Sequence, residues 1–587
     1  MDTNTLNDEC SEYIYSDEYL GYLVRYDNDI KRVYDVFEPA CISIINTQFL
    51  VAYTRREGNE LEEMLRYGYE SVPKCYGLMD TTAVEDTGAT RLKTLPGLNL
   101  SGNGVLVGFV DTGIDYTSSA FRRANGNSRI DYIWDQNEEV YGFGRSVYGY
   151  GAEFSRLDID RALQSDTPYS IVPTRDENGH GTFLASVAAG RENADRTFTG
   201  VSPEASIAVV KLRPAKQALR EFYLINGDSE CFSEDDIILG IKYLVQVAEL
   251  LGKPLVICLG IGSNQGGHDG NTYLEAYIDM ISRLRAVCVV TPTGNELGFG
   301  THFSRNYELN SGGDTSEDYS RIEVAVSGNN KGFSMEIWGK SPGILRIRVL
   351  SPTGELFSGV QPLVSGTTRK NFIYEGTDLF VENIVVERIS GNPFIFLRFS
   401  NPAEGIWTII IEEFSSVKGQ GYNAWLPIQE FINGETRFVR PDPNITITSP
   451  GNGRQSITVA GYNHLNDALY VNSGRGYTVN NTIKPELTAP AVNVYGVFAG
   501  GGDRELYNRR SGTSIAASLT AGAVALILEW AVVKGNDESI EAQDIKQMLI
   551  RGVKRVADII YPNPSWGYGV LDVYGAFAAM REMFENT

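Results

Sequence analysis

The apolar residues of this chain keep three different rhythms. From residue 104 onward, continuous apolar runs alternate with helical stripes. Gly104 to Val110, Ser206 to Leu212, Pro254 to Leu259 and Val287 to Val290 are short unbroken runs, the pattern of strands buried on both faces of a parallel sheet. Between them, Asp235 to Leu251 places Ile238, Ile241, Leu244, Val245 and Ala248 along one helical stripe. Ser514 to Trp530 is almost entirely Ala, Leu, Val and Ile, which predicts a central, fully packed helix. This alternation predicts a doubly wound α/β domain.

The first eighty positions follow a second rhythm. Tyr19 to Tyr26 reads as a strand, and Ile30, Val33, Tyr34 and Phe37 recur at helical spacing. Cys41 to Thr54 holds two β-rich runs split at Asn46-Thr47. Asn59 to Tyr67 reads as a capped helix, and a last strand is expected near Val72 to Tyr76. The resulting order, βαββαβ, is the split βαβ motif. A third rhythm fills about residues 303 to 448. Short β-rich runs such as Arg321 to Val326, Phe333 to Trp338, Leu345 to Leu350 and Trp407 to Ile411 are separated by Gly, Pro, Asn and Ser, which predicts a β-sandwich or jelly roll. Gly405-Ile406-Trp407-Thr408-Ile409 is a strand of the kind such domains bury.

Length and charge narrow the function classes. With 587 residues, two to four domains are expected. A formal net charge of -23 argues against nucleic acid and against anionic lipid as partners. The N-terminus is polar and acidic, so no secretory signal is expected, and no stretch is read as a membrane span. The six cysteines lack metal-ligand spacing, and no dense carboxylate loop of calcium type is present, so neither a metal nor another cofactor is expected. Cys258 and Cys288, set in apolar runs, are expected as buried reduced thiols, consistent with a reducing compartment. His268, His302 and His464 lie in Gly- or Asn-rich surroundings and are expected on exposed loops.

The candidate chemistry sits in three short segments: Val110-Asp111-Thr112-Gly113, Asn178-Gly179-His180-Gly181-Thr182 and Ser511-Gly512-Thr513-Ser514-Ile515-Ala516. A serine hydroxyl becomes a nucleophile when an imidazole takes its proton, and the imidazole needs a carboxylate to fix its tautomer and steady its charge. Each segment alone is a common strand end, turn or helix cap. Together, in the order Asp111, His180, Ser514, they supply a complete catalytic set.

That set resembles the subtilisin-like serine proteases. The resemblance implies a subtilisin-like doubly wound parallel sheet (residues 80–302 and 449–587). An N-terminal ferredoxin-like (α+β) propeptide would occupy residues 1–79, cut somewhere in Lys74 to Asp86, and a β-sandwich or jelly-roll domain would be inserted at 303–448. It implies that Asn295, in Thr291-Pro292-Thr293-Gly294-Asn295, donates to the oxyanion. It also implies that Leu259 and Gly260, in Cys258-Leu259-Gly260-Ile261, pair with substrate backbone, and that the propeptide lies in the cleft. The architecture resembles the clostridial Csp germination proteases, whose substrate is a spore cortex-hydrolase zymogen. A cytoplasmic or spore-associated serine endopeptidase acting on a protein substrate is therefore expected. Two alternatives stay open: an intracellular subtilase unrelated to spores, and a binding or signalling protein whose cleft is silenced by its own propeptide.

Overall fold

The computed structural model describes residues 10–585 except 57–63, 79–84, 95–97, 138–147, 195–196, 228, 306–318, 360–364, 415–420, 433 and 501–505. At its centre, the strand Leu106–Asp111 lies between Leu255–Leu259 and Ser206–Lys211, parallel to both. The sheet continues through Val287–Pro292 and Ile457–Asn463 on one side and Ile130–Asp135 on the other. Alternation along the central strand explains the layering. Val107 and Phe109 enter the core shared with the helices His180–Ala189 and Thr513–Leu528. Leu106 and Val110 enter the opposite core with the helix Glu234–Leu251. At Gly108, an added Cβ would stand 2.8 Å from Leu244, so a glycine lets this helix settle on the sheet.

All residues of Thr513–Leu528 are buried. Together with its continuation to Val533, this helix has the length and hydropathy of a membrane span, contrary to the expectation that no stretch would. Its burial in the sheet's packing layer accounts for the composition.

The N-terminal region forms a three-stranded antiparallel sheet, with Phe49–Arg55 between Tyr19–Arg25 and Cys41–Ile44. The helix Ile30–Phe37 covers it, its first turn capped by Asp29, which accepts from the Arg32 N–H at 3.2 Å. Most of the expected helix Asn59 to Tyr67 falls outside the described residues. Cys10 and Cys41 form a disulfide, a pairing that their spacing in the sequence does not reveal, whereas Cys75, Cys231, Cys258 and Cys288 are free and buried. The last strand, Cys75–Leu78, leaves this sheet for the catalytic body. It is held there by the buried Lys74, whose Nζ donates to the carbonyls of Tyr69 (3.1 Å) and Val72 (2.7 Å), and by Glu234, which accepts from the Lys74 N–H at 3.1 Å.

Between His302 and Phe438 the described residues form two antiparallel sheets of six and five strands. Their shared core includes Ile337, Leu397, Trp407 and Ile409, while Ile406 faces out, as strict alternation requires. The chain enters and leaves this region at one place, where the Asp442 N–H donates to the His302 carbonyl at 2.9 Å.

His268 and His302 are buried, not on exposed loops. Both rings stack against one indole: the centroid of His268 lies 4.1 Å and that of His302 4.9 Å from Trp425. The burial comes from the inserted sheets, which bring Trp425 against the body, and local composition carries no sign of it.

Candidate active site

Asp111 ends the central strand, where parallel sheets present their functional residues. Its Oδ1 accepts from the Thr112 N–H at 2.8 Å, which fixes the carboxylate before any partner arrives. His180 opens the helix His180–Ala189, preceded by Gly179 in the left-handed region at φ +81°. Its Nδ1 donates to Asp111 Oδ1 at 2.8 Å. That bond sets the tautomer and leaves Nε2 as the acceptor, 3.3 Å from Ser514 Oγ. Ser514 is the second residue of its helix, close to the end whose dipole favours negative charge. The three residues are at most 2% exposed, so the set is closed to bulk water.

Asp176 is a positioning residue that the sequence reading passed over. Its carboxylate accepts from the N–H groups of Gly179 and Thr182, both at 2.8 Å, and from the Thr182 hydroxyl at 2.6 Å. It therefore caps the helix that carries His180. Thr182 Oγ1 in turn accepts from the Asp115 N–H at 2.8 Å, which ties the cap to the loop after Asp111. The available signal was an Asp four residues ahead of the histidine, at the start of a helix lacking any other capping side chain.

Asn295 lies beside the serine helix. Its Oδ1 accepts from the Thr513 N–H at 3.1 Å and from the Thr513 hydroxyl at 3.2 Å. The amide oxygen is thus committed to the start of the serine helix.

The expected cleft residues fall differently. Leu259 is fully buried in the parallel sheet, paired with Val110. At Gly260, an added Cβ would lie 2.4 Å from Leu184, 2.7 Å from Asp111 Oδ2 and 2.8 Å from His180 Cε1. Glycine at this position makes room for the catalytic set. The backbone that pairs with a neighbouring extended segment is two residues further along: Ile261 pairs with Leu78, and Gly262 with Gly77. On its other side the same segment pairs with Phe232–Ser233. Cys75–Leu78 is thus the middle strand of a three-stranded antiparallel sheet whose outer strands belong to the body.

Beyond the serine, a cavity of about 370 Å³ is walled by Asn178, His180, Asn295 and Ser511, with Gln429 and Glu430 contributed by the inserted sheets. Glu296 is a buried member of this wall, and burial pushes its carboxyl up to about 8. Its Oε2 accepts from the Gln429 N–H at 2.9 Å, so it joins the inserted region to the site.

The sequence pattern of the Subtilase family matches residues 102–331 and 434–569, well over half of the chain. The chain belongs to the Subtilase family. The two matched stretches of this subtilase contain Asp111, His180, Asn295 and Ser514, and the gap between them falls within the inserted sheets. Among curated relatives, it is 25% identical over 166 residues to bacillopeptidase F of Bacillus subtilis, covering 27% of this chain and 11% of that one. It is 30% identical over 148 residues to subtilisin-like protease 4 of Trichophyton tonsurans, covering 24% of this chain and 32% of that one. These matches span a third or less of the relatives' length. Among solved structures, the CspB protease of Clostridium perfringens superposes with a TM-score of 0.72 at 28% identity, covering 84% of this subtilase and 99% of that chain. That similarity extends through the N-terminal α+β region and the inserted antiparallel sheets as well as the catalytic body.

Proposed function

We propose that this subtilase is a serine endopeptidase made as a self-processing zymogen. One observation carries the reading: the Asp111, His180 and Ser514 side chains form a connected hydrogen-bonded chain, and an extended segment of the same polypeptide is paired in the adjoining cleft. Ser514 Oγ attacks the scissile carbonyl while His180 Nε2 takes its proton and later returns it to the leaving amine. Asp111 keeps the imidazole oriented and stabilises its charged form. The Asn295 amide and the Ser514 N–H receive the negative charge that develops on the carbonyl oxygen.

Cys75–Leu78 occupies the cleft in the manner of the acyl side of a substrate. Its antiparallel register runs from Gly262 toward Gly260, and Gly260 adjoins His180. We therefore place the self-cleavage at the bond after residue 79, which makes residues 1–79 a propeptide. The cavity lined by Gln429 and Glu430 would then receive the leaving-group side of a protein substrate, with the inserted region, proposed as a jelly roll over 303–448, shaping its preference.

From the resemblance of the sequence to the Csp germination proteases we also propose a spore-associated or cytoplasmic setting and, as the substrate, a cortex-hydrolase zymogen cleaved at germination. A second reading is favoured by the closure of the site. Ser514 is fully buried with its own chain in the cleft, as in a latent or silenced subtilase. Fluorophosphonate labelling separates the two. Labelling of Ser514, together with two bands for the wild type and one for Ser514→Ala, is the expected result. Labelling only after removal of residues 1–79 would favour the silenced reading, and absence of labelling both before and after that removal would overturn the endopeptidase.

A further inference from the structure

A second cavity, of about 350 Å³, opens where three parts of the chain meet, and it shares no wall residue with the catalytic cavity. The N-terminal region contributes the helix Ile30–Phe37 and the stretch Arg66–Ser71. The body contributes the start of the helix Tyr273–Ile281, and the inserted sheets contribute Arg388 and Ile389. The floor is apolar: Val33, Phe37, Tyr67 and Tyr273 are all buried. The cavity's charged lining is Arg25, Arg32, Arg66 and Arg388 with the two carboxylates of Asp29 and Glu70.

This clustering runs against the composition, since the chain as a whole carries a net charge of -23. Two of the four guanidiniums are already compensated. Arg25 pairs with Asp27 at 3.3 Å, and Arg388 pairs with the buried Glu70 at 3.1 Å. Arg32 and Arg66 make no ion pair among the described residues, and Arg66 lies 5.6 Å over the Tyr67 ring. Asp29 also borders the cavity, but its carboxylate caps the helix start.

We propose that this cavity binds a small organic anion: a carboxylate or sulfonate carried on an aromatic or alicyclic body of one or two rings. The volume falls at the lower end of the range of small-molecule sites, and its place at a junction of domains is where such sites occur. The head group meets Arg32 and Arg66, the two cations still available, in the fork geometry that guanidinium offers to oxyanions. The body covers Phe37, Tyr67 and Tyr273, a surface that inorganic phosphate would leave unused. Because the walls come from three parts of the chain, the site exists only while the N-terminal region is docked. Ligand present at 100 times its dissociation constant therefore favours the docked arrangement by a factor of about 100.

The test uses the full-length protein and the fluorescent probe 1-anilinonaphthalene-8-sulfonate. A single saturable site is expected, from which naphthalene-2-carboxylate displaces the probe and equimolar inorganic phosphate does not. Because Arg32 and Arg66 are exposed, the Arg32→Glu/Arg66→Glu pair should fold with an unchanged unfolding midpoint. It should bind the probe at least about tenfold more weakly. Arg32→Gln/Arg66→Gln should give a smaller loss in the same direction, and Arg283→Glu, at an exposed arginine outside the cavity lining, should give none. The probe should raise the unfolding midpoint of the wild type but not of the double Glu variant. Wild-type affinity in the Arg32→Glu/Arg66→Glu variant, an equal loss in Arg283→Glu, or displacement by phosphate as effective as by the aromatic carboxylate would overturn the proposal.

Discussion

The Tyr69 hydroxyl donates to the Glu336 carboxylate, joining the N-terminal region directly to the inserted sheets. Glu336 also accepts from the Gly266 N–H and the Trp338 indole, each at 2.9 Å, so one buried side chain ties together three parts of the molecule. Burial raises its proton affinity, and the nearby Lys74 opposes that effect. Glu336→Ala leaves three buried donors without an acceptor. A loss of about 3 kcal/mol in unfolding free energy is expected from such orphaned groups, read from urea unfolding beside Glu336→Gln, which should lose less. Equal stability of the Ala variant and the wild type would show that the junction is held elsewhere.

Asn295 gives the sharpest kinetic prediction. Its oxygen is held by Thr513, so Asn295→Leu removes an oriented donor while changing little of the cleft that binds substrate. Turnover should fall by about 100-fold or more with KM nearly constant. Steady-state kinetics on a peptide substrate after propeptide removal provides the check, and an unaltered kcat would refute the role.

Asp176 acts on His180 through the helix cap. Asp176→Ala should lower kcat by roughly tenfold, the scale of a lost cap transmitted to one catalytic position. KM should stay nearly unchanged. Asp176→Asn, which keeps one acceptor for the Gly179 N–H, should recover part of the loss. A fall in stability with no fall in kcat would reduce Asp176 to a structural cap.

Glu296 predicts a pH dependence. Its folded proton affinity corresponds to about 8, above the ordinary glutamate value of 4.5. The protonated form is therefore the one that folding favours. The stability it contributes is complete below about pH 4.5 and is lost as the pH rises toward 8. Glu296→Gln cannot ionise and keeps an acceptor for the Gln429 N–H. Its unfolding midpoint should therefore drop less than that of the wild type between pH 5 and pH 8.5, as thermal melts at both pH values would reveal. Parallel profiles for the two proteins would contradict the assignment.

The legible part of this molecule was its local physics. Gly104 to Val110 announced a doubly buried strand because both faces of that strand meet apolar layers. The meeting of Asp111, His180 and Ser514 was readable because each lies in a short local segment at the end of a strand or start of a helix. What the sequence concealed depends on distant pairing. A strand was expected near Val72 to Tyr76, but the one that forms, Cys75–Leu78, has its partners 156 to 185 residues away, at Phe232–Ser233 and Ile261–Gly262. The shift from Leu259 and Gly260 to Ile261 and Gly262 has the same origin, since strand register is set by the neighbour. His268 and His302 were misplaced because Gly and Asn nearby speak for a loop, whereas Trp425 arrives from more than a hundred positions away to bury them.

The hydrogen bond between the Asp442 N–H and the His302 carbonyl has an architectural consequence. With entry and exit held side by side, a two-sheet module hangs from the catalytic body like a bead on a closed clasp. The body spends little chain entropy in bridging the gap. A module of another size could therefore start and end at this point without redrawing the parallel sheet beneath it, provided it kept the contacts that Glu336, Trp425 and Gln429 now make.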